Sequence, residues 1–255
     1  MRRGDGIGFF LVGLLALPWA WAGGLADTVT KIKPSIVIVG TYKATNNPRF
    51  QLRGTGFVVG HGNQVVTNAH VLPDVTGLSD APALVVQVLG ADGQWQRRGV
   101  VRQQRDEVHD LASLVIEGSP VAPLSLGNSD RVREGEELAF TGFPIGGVLG
   151  FSPVTHRALV SSITSAALPS PTANQLQERA VRGLRDGTFD IFQLDATAYP
   201  GNSGGPLFDP QTGEVLGVLN MVLIKGTRES ALSQPSGISY AIPIRHVRAL
   251  LGRQP

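Results

Sequence analysis

From residue 35 onward the chain is built of short apolar runs, twelve in all, each cut off by turn residues before a helical face could develop. Runs rich in Val, Ile and Thr with such punctuation read as strands. The first six are residues 35–42, 55–59, 64–67, 83–89, 95–103 and 111–116. The second six are residues 136–141, 154–164, 189–197, 205–208, 214–223 and 237–242. Reversals fall at His61-Gly62-Asn63, Ala91-Asp92-Gly93 and Asp209-Pro210-Gln211-Thr212-Gly213, where Gly, Asn, Asp and Pro supply the turn geometry. Residues 119–130 carry Pro and Gly without periodicity and form the expected linker between two halves, about 30–118 and 131–243. Six strands on each side fit two β-barrels, so the expected class is all-β. Residues 174–185, inside a long insertion at 165–189, hold good helix formers and read equally as a surface helix or a loop. Pro243, placed at a first-turn position, opens a short closing helix through Leu251.

The first 22 residues stand apart from this pattern. Arg2 and Arg3 form a basic start, residues 7–17 are apolar, and Ala20-Trp21-Ala22 has the A-x-A form of a signal-peptidase site. The apolar stretch is shorter than the ~20 residues that span a bilayer and is broken by Gly13 and Pro18. A signal peptide cleaved near Ala22 is therefore expected, with no stable membrane insertion afterwards and residues 23–255 as one domain. There is no cysteine. In an exported chain that means a fold held by burial alone, and it points to the bacterial periplasm or to secretion. It also removes thiol catalysis and thiolate zinc sites. The net charge of +2 gives no reason to expect nucleic acid or an anionic membrane as partner.

Chemistry concentrates in Gly201-Asn202-Ser203-Gly204-Gly205-Pro206-Leu207. A serine hydroxyl is a weak nucleophile unless a base takes its proton and donors await the oxyanion. Glycines on both sides let the backbone aim the N–H groups of Gly201 and Ser203 into one small pocket, the expected oxyanion hole. Of the five histidines, His70 in Thr67-Asn68-Ala69-His70-Val71 ends a β-branched strand and is the expected base. His61 lies in a turn, His109 neighbours an acid, His156 lies on a polar strand stretch and His246 on the closing helix; these read as solvated or structural. Asp110 opens the apolar strand Asp110-Leu111-Ala112-Ser113-Leu114-Val115-Ile116. A carboxylate there is costly to bury unless paired, which makes it the expected partner of His70. Asp106 and Glu107, in the preceding charged turn, read as solvated. No metal or organic cofactor is required by this chemistry.

In their order along the chain these three segments resemble the HtrA/Deg branch of the trypsin-like serine proteases. Gly54-Thr55-Gly56-Phe57 and Ser239-Tyr240-Ala241-Ile242-Pro243 add to the resemblance, which extends from about Ser35 to Arg248. It implies a chymotrypsin-like double β-barrel, with the active site in the inter-barrel cleft and a short C-terminal helix. It implies endopeptidase cleavage of polypeptides through an acyl-enzyme, with a place in envelope protein quality control. By position, the S1 base falls near Thr197, with walls from Val222 and from Ser239–Tyr240. No carboxylate occupies that base, so a small or medium apolar P1 residue is expected, unless Asp195 points inward. Asn202 stands where digestive relatives carry an acid that pairs with a freed N-terminal amine, so activation by chain cleavage is not expected.

Three features depart from the branch. The residue before Pro200 is Tyr199 where an Asn is usual, residues 165–189 are longer than the branch requires, and a PDZ domain after the protease region is not expected. PDZ-triggered activation and the cage oligomers of some relatives therefore do not carry over. Two other readings compete. The string Gly201 to Gly205 also satisfies G-x-S-x-G, but an α/β-hydrolase needs acid and then histidine after the serine. Only Asp209 and His246 follow, and Asp209 follows too closely. The second is a protease fold kept as a catalytically idle or latent binding module.

Overall fold

The computed structural model describes residues 24–73, 81–144, 150–166, 188–221 and 237–253. Two closed antiparallel barrels dominate it. The first holds β1 (Ile36–Tyr42), β2 (Phe50–Val59), β3 (Gln64–Thr67), β4 (Ala83–Leu89), β5 (Trp95–Asp106) and β6 (Leu111–Ile116). Their order around the barrel is β1-β2-β3-β6-β5-β4, closed by pairing of β4 with β1. The second holds β7 (Glu137–Gly142), β8 (Val154–Ala166), β9 (Phe189–Asp195), β10 (Pro206–Phe208), β11 (Val215–Asn220) and β12 (Ile238–Pro243). Its order is β10-β11-β12-β9-β8-β7, closed through β7 and β10. The chymotrypsin-like double barrel expected from the sequence is the fold observed.

β1 shows why its sequence, Ile-Val-Ile-Val, lacks the alternation of a half-exposed strand. Val37 and Val39 point into the first barrel with Val58, Val65, Val86, Val88 and Leu114. Ile36 and Ile38, on the other face, pack into a separate layer with Phe57, Leu111, Phe208, Val218, Ile242 and Val247. That layer joins the barrels and the closing helix, so both faces of β1 are buried. Each such Val or Ile contributes about 1.5–3 kcal/mol on leaving water. The second barrel has its own interior around Phe140, Val160, Phe192, Leu194, Leu207 and Leu219.

The linker is pinned to each barrel in turn. Val121 N–H donates to Gly62 and Leu124 N–H to Val58 in the first barrel, both at 2.8 Å. Three residues on, Gly127 N–H donates to Val215 and Val215 N–H to Ser125 in the second.

Several boundaries differ from the sequence expectation. β2 begins at Phe50 rather than 55, and β5 continues to Asp106 rather than 103. In both, added polar residues such as Gln51 and Gln104 interrupt the apolar run yet still pair across the ladder, with Thr41 and Ser113. β9 ends at Asp195 and β11 at Asn220, earlier than expected. Pro243 is the last residue of β12 and caps the closing helix α2 (Ile244–Gly252) from just outside it. A helix α1 (Leu25–Ile32) precedes β1 and was not anticipated; it is short and has no capping side chain. It buries Thr28 and Ile32, and Thr28 Oγ1 donates to Gln211 O in the β10–β11 turn. The expected leader, residues 174–185 and Val222 lie outside the described residues.

Candidate active site

Ser203 sits in a tight loop before β10. Asn202 N–H donates to Tyr199 O (3.0 Å) and Gly205 N–H to Asn202 O (2.9 Å), winding the chain around it. Gly201 (φ 104°) and Gly204 (φ 86°) both occupy the left-handed region that favours glycine. A Cβ on Gly204 would also collide with Thr55 O and Thr67 Oγ1. Ser203 itself is 5% exposed.

The loop belongs to the second barrel but is held by the first. Thr55 on β2 donates its N–H to Ser203 O (2.8 Å) and its Oγ1 to Gly201 O (2.6 Å). The same Oγ1 accepts from Phe143 N–H (3.0 Å), while Thr55 O accepts from Thr67 Oγ1 (2.7 Å). Gly54 lies between Ser203 O and the Val71 side chain, with no space for a side chain of its own. Through Gly54 the serine loop is thereby packed beside Val71, the residue that follows His70.

His70 lies on a single 3-10 turn, Ala69–Val71, directly after β3. Its Nδ1–H donates to Asp110 Oδ2 at 2.5 Å and its main-chain N–H to Asp110 Oδ1 at 2.8 Å. A carboxylate can only accept, so in the neutral ring it fixes the tautomer that leaves Nε2 free of hydrogen. Arg53 on β2 holds the same turn: its Nε donates to Val71 O (2.5 Å), and Nη2 lies 3.5 Å from His70 O and 3.4 Å from Leu72 O.

Asp110 has φ 50°, the only positive value at a non-glycine residue among those described. This places its carbonyl where Ala69 N–H (3.1 Å) and Asn68 Nδ2 (3.0 Å) donate to it, while the carboxylate faces His70. The carboxylate receives one more bond, from Asn220 Nδ2 at the end of β11 (2.7 Å to Oδ2). Sequence reasoning missed Asn220; its one signal is an amide closing the apolar run Val215–Asn220, buried at 0% exposure.

His61 is exposed in its turn, as expected. The other three histidines take the structural alternative of that expectation. His156 stacks on Phe140 (centroids 4.9 Å), and burial pushes its pKa down. His109 bonds Asp106 and stacks on His246. Asp106 is 6% exposed, not solvated, because His109 pairs with it. Glu107 is exposed as expected.

Of the expected pocket residues, Thr197 is half-buried just past β9 and Tyr240 is half-buried on β12. Ser239 Oγ donates to Ala196 O (2.5 Å), tying these two segments together. Asp195 is exposed, in register between Leu159 and Ile238. Among the described residues no group of three or more His, Asp or Glu is arranged to hold a metal ion.

Two six-stranded barrels, with a serine loop of one held by β2 of the other and a His–Asp pair on that other barrel, define the chymotrypsin-like class. The profile of the trypsin-like peptidase domain matches residues 54–218, and the chain belongs to that family. It is 31% identical over 231 residues to the mitochondrial serine protease HTRA2 of Drosophila willistoni, covering 91% of this chain and 45% of that protein. It is 30% identical over 233 residues to serine protease HTRA3 of Mus musculus, covering 89% and 43%. Among solved structures, the HtrA-type protease AlgW with tripeptide superposes with a TM-score of 0.64 at 25% identity, covering 90% of this chain and 63% of that one. The chain thus spans about half the length of these curated relatives.

Proposed function

We propose that this chain is a serine endopeptidase that cleaves polypeptides through an acyl-enzyme, with Ser203 as nucleophile, His70 as general base and Asp110 orienting the imidazole. The observation that carries this reading is the Asp110 carboxylate, which accepts from both the main-chain N–H and the Nδ1–H of His70 while Gly54 packs the serine loop beside the neighbouring Val71. With Nδ1–H committed to Asp110, His70 Nε2 takes the Ser203 hydroxyl proton as Oγ bonds to the scissile carbonyl carbon. The carbonyl oxygen gains the negative charge and is received by the N–H groups of Gly201 and Ser203. His70 then gives its proton to the leaving amine as the C–N bond breaks. Water repeats the sequence on the ester and restores Ser203.

The substrate class follows from the relatives. HtrA-type structures are known with a bound tripeptide, and polypeptides are the proposed substrates here. Thr197 would form the S1 base, with Val222 and Tyr240 as walls, favouring a small or medium apolar P1 residue. Residues 1–22 are proposed to export the chain to the periplasm or beyond, where cleavage near Ala22 releases residues 23–255 to act in protein quality control. Among the described residues no helix is long and apolar enough to cross a membrane.

A fluorophosphonate probe tests the reading directly. The parent should label and Ser203→Ala should not. A folded parent that fails to label, with or without denatured protein substrates present, would replace the peptidase with a binding module built on the same fold.

A further inference from the structure

The hairpin that ends in Asp110 carries a second Asp–His couple, back to back with the first. Asp106 closes β5 and faces Leu111 in register, so residues 107–110 form the whole loop. Asp106 is buried, and its carboxylate caps this loop: Oδ1 accepts from His109 N–H (3.1 Å) and Oδ2 from His109 Nδ1–H (2.9 Å). Burial by itself would raise the Asp106 pKa, but the bonds from His109 outweigh it and leave the pKa lowered. Asp106 therefore holds His109 by main chain and side chain together, as a carboxylate.

The His109 ring is in turn gripped by parts that follow the second barrel or begin its strands. His246 on α2 stacks on it with centroids 4.1 Å apart and planes at 26°. Phe189, the first residue of β9, meets its face edge-on at 4.7 Å. Arg253, just beyond α2, lies 3.5 Å from Asp106 Oδ2. Glu107 and Val108 are exposed, so the loop is fixed at His109 rather than at its tip.

The next residue is Asp110, in the left-handed conformation that turns its carboxylate to His70. A non-glycine residue persists there only where its surroundings over-determine it. We propose that Asp106 and His109 are positioning residues for catalysis: they lock the peptide unit before Asp110 and so aim its carboxylate at His70. This inference rests on the reading of Asp110 as a triad member.

Three variants of the full chain test it: His109→Phe, which keeps a ring but loses the donor; His109→Asn, whose Nδ2 can replace Nδ1–H; and Asp106→Asn. The readouts are kcat and KM on a peptide substrate, fluorophosphonate labelling rate and thermal midpoint. In His109→Phe, kcat and labelling rate should fall together by about 10- to 100-fold, the scale expected of sub-ångström misplacement, with KM within about two-fold. Asp106→Asn should fall in the same direction, and His109→Asn should recover most of the loss. Folded His109→Phe with parental kcat overturns the proposal. Equal losses in the Phe and Asn variants that track the thermal midpoint also overturn it, because they signal bulk destabilisation. A parent that does not label removes the triad reading and this inference with it, before any variant is compared.

Discussion

Asn220, at the end of a second-barrel strand, donates a 2.7 Å hydrogen bond to the Asp110 carboxylate of the first barrel. The two residues stand 110 positions apart. Together with Thr55, which holds the serine loop from the other side, this bond makes the proposed catalytic arrangement depend on both barrels being in place. Neither barrel alone carries all three residues of the proposed triad.

Asn220→Ala should therefore lower activity while leaving all three members of the proposed triad in the chain. A hydrogen bond to a charged acceptor contributes about 1.5–3 kcal/mol, so kcat/KM should fall roughly 10- to 100-fold. Asn220→Asp should fall further, since a second carboxylate beside Asp110 repels it. Steady-state peptide hydrolysis at one pH separates the cases; equal activity in all three proteins would show the bond to be idle.

Ser203→Ala and His70→Ala should each reduce peptide cleavage by several orders of magnitude. The double variant should lose little more than either single one, because the members act as a unit. Additive losses in contaminant-free preparations would contradict the assignment of roles.

Thr55→Val tests the hold of the first barrel on the serine loop. The substitution keeps the shape but deletes the hydroxyl that donates to Gly201 O and accepts from Phe143 N–H. Two main-chain groups lose a partner, at about 1–3 kcal/mol each if left unsatisfied. A lower urea midpoint and slower fluorophosphonate labelling are expected together. A lower midpoint with unchanged labelling would mean that Thr55 serves folding only.

Much of the fold and of the candidate site is legible in the sequence. Strands such as Gln64–Thr67, Ala83–Leu89 and Leu111–Ile116 have the expected bounds because turn residues mark their ends. His70, Asp110 and Ser203 stand out because each sits in a local string with a chemical reason. What escaped depends on distance along the chain. Asp106 reads as one acid in a charged turn, yet it is buried under His109 and near Arg253, 147 positions away. Asn220 reads as the polar end of a strand until the first barrel brings Asp110 to it. Helix α1 is eight residues long, and its burial comes from a second-barrel turn that its own sequence does not announce.

The His246 ring gives the fold an acid-sensitive joint. Its pKa is pushed down from 6.5 to about 4, first by burial and then by His109 and Arg245 nearby. Once unfolded, the same ring titrates near its ordinary value. Between those limits the unfolded chain takes up a proton that the native chain refuses, so stability falls as pH drops through this window and levels off below about 4. Allowing for solvent screening of the half-buried ring, the loss is on the order of 1–2 kcal/mol. His156, also lowered by burial, acts in the same direction. So does Asp106, whose lowered pKa makes its stabilisation vanish as it protonates. His246→Phe keeps a ring against His109 and removes one of these titrations. Urea midpoints at pH 7 and pH 4.5 should therefore lie closer together in the variant than in the parent, and an unchanged gap would show that this ring does not set the acid limit.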